Sequence, residues 1–148
     1  MRFISDKARG LKIGWNERPL TEEDFHRQCL RHKISLQEMP LRVSGFYYRV
    51  MGHDFIAIDS RLRGHERLTV MFHELGHFLF HTPAIGATAN FHRVGQKTRQ
   101  EIEADVFALC AVIPLPMIME QGQLTALAHE IPEALLNDRL RIFQRHGI

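Results

Sequence analysis

The stretch that decides the fold is residues 68–81, Leu68-Thr-Val-Met-Phe-His73-Glu74-Leu-Gly76-His77-Phe-Leu-Phe-His81. Leu68, Phe72, Leu75 and Leu79 recur at spacings of three and four, the period of a helix with one apolar face. The spacing predicts a helix from about His65 to His81, closed by Pro83. Within it, His73 to His77 has the form H-E-x-x-H. Positions four apart on a helix are separated by about 40° in azimuth and about 6 Å along the axis. Two imidazoles so placed converge on one ion, at about 2.0–2.1 Å per bond when that ion is zinc. Glu74 is rotated off their axis, towards an attacking water, where a general base belongs. A glycine costs a helix interior about 1 kcal/mol relative to alanine. Gly76 therefore predicts that another backbone comes close.

Two histidines leave such a metal under-coordinated, and a third protein ligand is needed beside a position kept for water. Downstream, Glu101-Ile-Glu103-Ala-Asp105 supplies carboxylates. Glu101 and Asp105 lie one turn apart on one helical face, whereas Glu103 is about 200° from Glu101. Glu101 is expected as the third ligand. Asp105 is expected behind it, accepting a ring N–H from His73 or His77. Such a partner also explains an acid within an apolar run.

Alternatives remain open at this point. Thr98-Arg-Gln-Glu101 is also a capping-box pattern, in which Glu101 bonds the Thr98 amide and Glu103 is the competing ligand. His81 lies about 12 Å along the axis from His73, too far to share an ion, and reads as a helix-end cation or a groove residue. His92 is a candidate for ligand or substrate contact. Tyr47, Tyr48 and His92 are the candidates for stabilising an oxyanion.

Working outward, Phe46–Val50 and Phe55–Asp59 read as a hairpin turned at Met51-Gly52. Before them, Pro19-Leu-Thr21-Glu-Glu-Asp24 reads as the start of a helix. Thr21 is its N-cap, acids fill its first turn, and Phe25, Cys29 and Leu30 form its buried stripe. The residues ahead of Pro19 read as irregular. Pro83 to Lys97 reads as a loop long enough to carry function. Thr98 opens a second helix, apolar all round from Ala104 to Ile113 and so buried against the first. Pro114 and Pro116 end it. A last helix runs from Pro132 to about Arg145, with Leu136, Leu140 and Phe143 on one face. The sum is an α+β fold, mostly helical, with a small β-hairpin before the motif helix, in one domain over residues 1–148.

Bulk properties exclude several classes. The 19 basic against 17 acidic residues leave a net charge of +2, too little to argue for nucleic acid or an anionic membrane. Arg139, Arg141 and Arg145 read as the solvated face and terminal charges of the last helix. Two cysteines, Cys29 and Cys110, are too few for a disulfide framework and read as buried reduced thiols. The N-terminal residues offer no apolar run for a secretory leader. The apolar stretch Ala104 to Met119 is broken by Asp105, Pro114 and Pro116 and is too short to span a bilayer. A cytoplasmic protein is expected.

With residues 68–81, Glu101-Ile-Glu-Ala-Asp-Val-Phe-Ala108 and the helix-ending Pro114 in view, the chain resembles the ImmA/IrrE family of metallopeptidases. Ile56-Ala-Ile-Asp59 and the closing Arg139-Leu-Arg-Ile-Phe-Gln-Arg-His-Gly147 also fit. The resemblance implies a zincin-like fold and a cytoplasmic endopeptidase, with zinc, or alternatively manganese, as its metal. It further implies a protein substrate, a DNA-binding repressor of helix-turn-helix type. Asp105 departs from the asparagine that relatives often carry there. The competing function is a metal-binding regulatory protein that acts by partner binding without proteolysis; the carboxylate of Glu74, which a pure metal holder does not need, argues against it.

Overall fold

The computed structural model describes residues 1–81, 97–120 and 123–148. The chain runs through α1 (Arg2–Gly10), α2 (Glu22–His32), β1 (Ile34–Met39), β2 (Gly45–Val50) and β3 (His53–Asp59). It continues through α3 (Gly64–His81), α4 (Arg99–Val112), α5 (Leu115–Met119), α6 (Gln123–Glu130) and α7 (Glu133–His146). The loop expected from Pro83 lies outside the described residues, apart from Lys97.

The segment read as irregular contains α1. Its buried apolar residues are Ile4 and Ala8, one turn apart, a signal too short to register as a period. At α2 the Asp24 amide donates to Thr21 Oγ1 (3.3 Å), and Asp24 Oδ2 accepts from the Thr21 amide (2.8 Å). Arg18 clamps the same carboxylate with two bonds of 2.9 Å. Phe25 and Cys29 are buried as expected, but Leu30 is 81% exposed. It stands about 140° from Phe25 around the helix, beyond the stripe that Phe25 and Cys29 define.

The sheet has the order β1-β3-β2, with β3 parallel to β1 and antiparallel to β2. The β2–β3 hairpin is as read: Val50 faces His53 across Met51 (φ 49°) and Gly52 (φ 78°). Two consecutive left-handed residues match the twist of the strands they join. β1 went unread because its sequence, Ile-Ser-Leu-Gln-Glu-Met, offers only a brief alternation. Ile34, Tyr47, Ile56 and Ile58 are buried on the face turned to the helices.

The central element is α4, buried on every side from Val106 to Ile113. It packs against α3, α1 and α7. Trp15 Nε1 donates to the Phe107 carbonyl (2.9 Å), and the Leu20 amide donates to the Ala111 carbonyl (2.9 Å), so residues 15–20 run along it. Pro114 and Pro116 do end α4, but they also start α5, where Pro114 is the N-cap. Arg139 corrects the expectation of a solvated arginine face on α7. It is fully buried, donating to the main-chain oxygens of Ile113 (2.6 Å) and Ile148 (2.7 Å) and to Asn16 Oδ1 (3.1 Å). Its cation thus caps the carbonyl end of α4. Both cysteines are free and buried, and burial pushes the Cys29 thiol up to about 12. Among the described residues no helix is long and apolar enough to cross a membrane.

Candidate metal centre

Two glycines set the spacing around the motif helix. A Cβ on Gly76 would stand 3.1 Å from Phe107 Cδ1 and 3.5 Å from Ala104 Cα, so α4 is the close backbone that Gly76 foretold. A Cβ on Gly45 would stand 2.8 Å from the Ala57 carbonyl and 2.9 Å from Val70 Cγ1. The bare backbone there lets β2 lie beside Glu74, whose Cγ would be 3.5 Å away.

This packing brings the ligand candidates together. His73 Nε2 and His77 Nε2 are 3.1 Å apart. Glu101 reaches both, with Oε2 3.2 Å from His73 Nε2 and Oε1 3.0 Å from His77 Nε2. Ligands of a tetrahedral zinc, at about 2.0–2.1 Å from the ion, lie about 3.3 Å from one another. The observed triangle is within a few tenths of an ångström of that face. His73, His77 and Glu101 are the group of histidines, cysteines and acids among the described residues that converges in this way.

The electrostatics of the triangle ask for positive charge. Burial works against protonating His73, but the carboxylates of Asp105 and Glu101 outweigh it and hold the ring protonated up to about 10. Burial likewise disfavours the Glu101 carboxylate, yet bonds to His73 and His77 hold it well below the usual range. Such surroundings favour a cation, and the donor set of two imidazoles and one carboxylate suits a divalent ion.

Around the triangle, Asp105 Oδ1 lies 2.9 Å from His73 Nδ1, while its Oδ2 takes a bond from Lys97 Nζ (2.6 Å). An ionised carboxylate only accepts, so Nδ1 carries hydrogen and Nε2 is the nitrogen aimed at the centre. Glu74 is 2% exposed. Together with Ser44, Thr69, Val70, His73 and Asp105 it lines a cavity of about 150 Å³. Thr98 Oγ1 accepts from the Glu101 amide (3.2 Å) while the Glu101 carboxylate lies against the histidines, so the cap and the site coexist.

Residues 29–125 match the family model Peptidase_M78, the IrrE N-terminal-like domain. The chain belongs to this family. The match spans both the H-E-x-x-H helix and the Glu101–Asp105 segment, and it carries a metallopeptidase-type function and the zincin-like α+β fold. No curated protein and no solved structure gives a match.

Within this Peptidase_M78 domain, several residues sit elsewhere than the sequence suggests. Tyr47 is buried and donates to Asp54 Oδ1 (2.5 Å), and Tyr48 donates to Gln37 Oε1 (3.1 Å). Both hydroxyls are committed within the sheet, and neither lines the cavity at Glu74. His92 lies outside the described residues. His81 is no helix-end cation: its side chain is 4% exposed, and burial lowers its pKa against the opposing pull of Glu103. It contacts His77 rather than His73. Glu103 points to His81 (2.8 Å) and Arg99 (2.8 Å). The four-residue repeat His73, His77, His81 was the signal for that contact. Gly45 was missed as well; a glycine opening a strand marks a close approach.

Proposed function

We propose that this chain is a zinc-dependent endopeptidase of the cytoplasm that cuts a helix-turn-helix repressor at a specific site. The observation that carries the catalytic reading is the triangle of His73 Nε2, His77 Nε2 and the Glu101 carboxylate, with edges of 3.0–3.2 Å, beside the buried Glu74. The repressor rests on the resemblance to the ImmA/IrrE family.

His73, His77 and Glu101 would hold the cation. Bound there, it supplies Lewis acidity, lowering the pKa of water from 15.7 toward about 7 and polarising a carbonyl. Glu74 takes the proton of the attacking water on its carboxylate and returns it to the leaving nitrogen, help worth about 10²–10⁴-fold. Asp105 holds the His73 ring in place through Nδ1–H. β2 is an outer strand of the described sheet, and its first residue, Gly45, adjoins Glu74. An extended peptide laid along that edge would reach the cavity through main-chain bonds.

The test is cleavage of a repressor encoded beside the protein, by wild type and Glu74→Gln, each loaded with zinc or manganese. Wild type should cut at one site, and Glu74→Gln should bind metal equally but leave the repressor whole. An intact repressor with wild type under both metals removes the substrate assignment. Equal cleavage by Glu74→Gln removes Glu74 as the base.

A further inference from the structure

His77 has a support of its own. Its Nδ1 lies 3.2 Å from His81 Nδ1, His81 Nε2 lies 2.8 Å from Glu103 Oε2, and Glu103 Oε1 accepts from Arg99 Nε at 2.8 Å. His77, His81 and Glu103 side chains are 2%, 4% and 9% exposed, so water does not substitute for these bonds.

Proton bookkeeping along this line has one outcome once a cation holds His77 Nε2. Glu103, ion-paired with Arg99, is acceptor-only, so His81 Nε2 must donate to it. A neutral imidazole with hydrogen on Nε2 accepts at Nδ1. With a cation on the lone pair of His77 Nε2, beside Glu101 and His73, His77 Nδ1 carries hydrogen and donates to His81. We infer that His81 and Glu103 are positioning residues that fix the tautomer and ring orientation of His77, as Asp105 does for His73. This rests on the reading of the triangle as a cation site. It extends that reading to two residues the H-E-x-x-H pattern does not include.

The experiment uses the full chain stripped of metal. Zn²⁺ is titrated against a chromogenic chelator, and the Nδ1–H signal of His77 is recorded by ¹H–¹⁵N NMR in the zinc-loaded protein. His81→Phe keeps a ring against Phe80 but cannot relay a proton. Glu103→Leu removes the terminal acceptor. Each should weaken Zn²⁺ binding about 10–100-fold, as loss of a ligand's hydrogen-bond partner does. The double variant should be little worse than either single one, because the groups act in series. His81→Gln, whose amide oxygen accepts from Nδ1–H, should recover part of the affinity and guards against a failure of His81→Phe to fold. The His77 Nδ1–H signal should be downfield and slow to exchange in wild type, and should lose both features in His81→Phe. Wild-type affinity in both single variants, or an unchanged His77 Nδ1–H signal in His81→Phe, overturns the relay. If wild type itself takes up no Zn²⁺, the cation reading falls and the relay falls with it.

Discussion

Gly76 of α3 lies against the backbone of Ala104 in α4: a Cβ on the glycine would stand 3.5 Å from the Ala104 Cα. Every bond across the site spans this contact, including His73 to Asp105 (2.9 Å) and His77 to Glu101 (3.0 Å). A hydrogen bond of that length does not survive a shift of an ångström between the helices. The spacing of the two helices is thus set by a residue that bears no side chain.

Gly76→Val should therefore damage fold and site together. The added methyls meet Phe107, already 3.1 Å from a Cβ, and overpacking of this kind costs about 1–3 kcal/mol. Gly76→Ala should come out near neutral, since about 1 kcal/mol of helix propensity offsets milder crowding. Urea unfolding gives the stability and chelator competition gives the metal affinity. Wild-type zinc affinity in Gly76→Val would mean that the glycine does not set the spacing of the site.

Glu101 and Asp105 of α4 should separate into distinct classes of effect. Glu101→Ala should lose zinc outright or nearly so, because its oxygens close the triangle. Asp105→Ala should weaken zinc about 10–100-fold by releasing His73 Nδ1. Retention of stoichiometric zinc by Glu101→Ala in plasma emission analysis would remove it from the ligand set.

Much of this arrangement was legible in sequence because it obeys short periods. His73 and His77 are one turn apart, as are Glu101 and Asp105, and helical geometry alone aims each pair at one face. The contacts made by His81 and Glu103 were not legible, because they depend on how α3 crosses α4. A residue about 200° from Glu101 on an ideal helix still meets a neighbouring helix's last turn. Arg139 misled for a related reason. Its burial is dictated by the carbonyl end of α4 and by Asn16, both remote in sequence. β1 and α1 escaped notice because each is held by contacts from elsewhere rather than by a strong local pattern.

The hairpin turn offers a gain in stability away from the site. Met51 has φ 49° and is 93% exposed, so it holds a left-handed conformation with no packing in return. That conformation costs a non-glycine residue roughly 1–2 kcal/mol, and asparagine tolerates it best in this kind of turn. Met51→Asn should raise stability by about 0.5–1 kcal/mol, read as a higher urea midpoint at unchanged slope. A lower midpoint would show that Met51 contributes something the exposed side chain does not reveal.

Acid should loosen the start of α2 through one carboxylate. Bonds from Arg18, joined by those from Thr21 and opposed by burial, lower the pKa of Asp24 to about 2. An unfolded aspartate titrates near 3.9. Between these values the unfolded chain binds the proton more readily, so stability rises with pH there. The contribution of Asp24 is complete above about pH 4 and is lost as pH falls toward 2. Arg18 is half exposed, so solvent screening limits the contribution to about 1–2 kcal/mol. Asp24→Asn, compared with wild type in metal-free protein, removes this dependence and leaves the other carboxylates common to both. The two proteins should differ by about 1–2 kcal/mol in urea unfolding at pH 6 and converge as pH falls to about 2 and below. A gap that stays constant across that range would place the effect of Asp24 in its packing rather than in its charge.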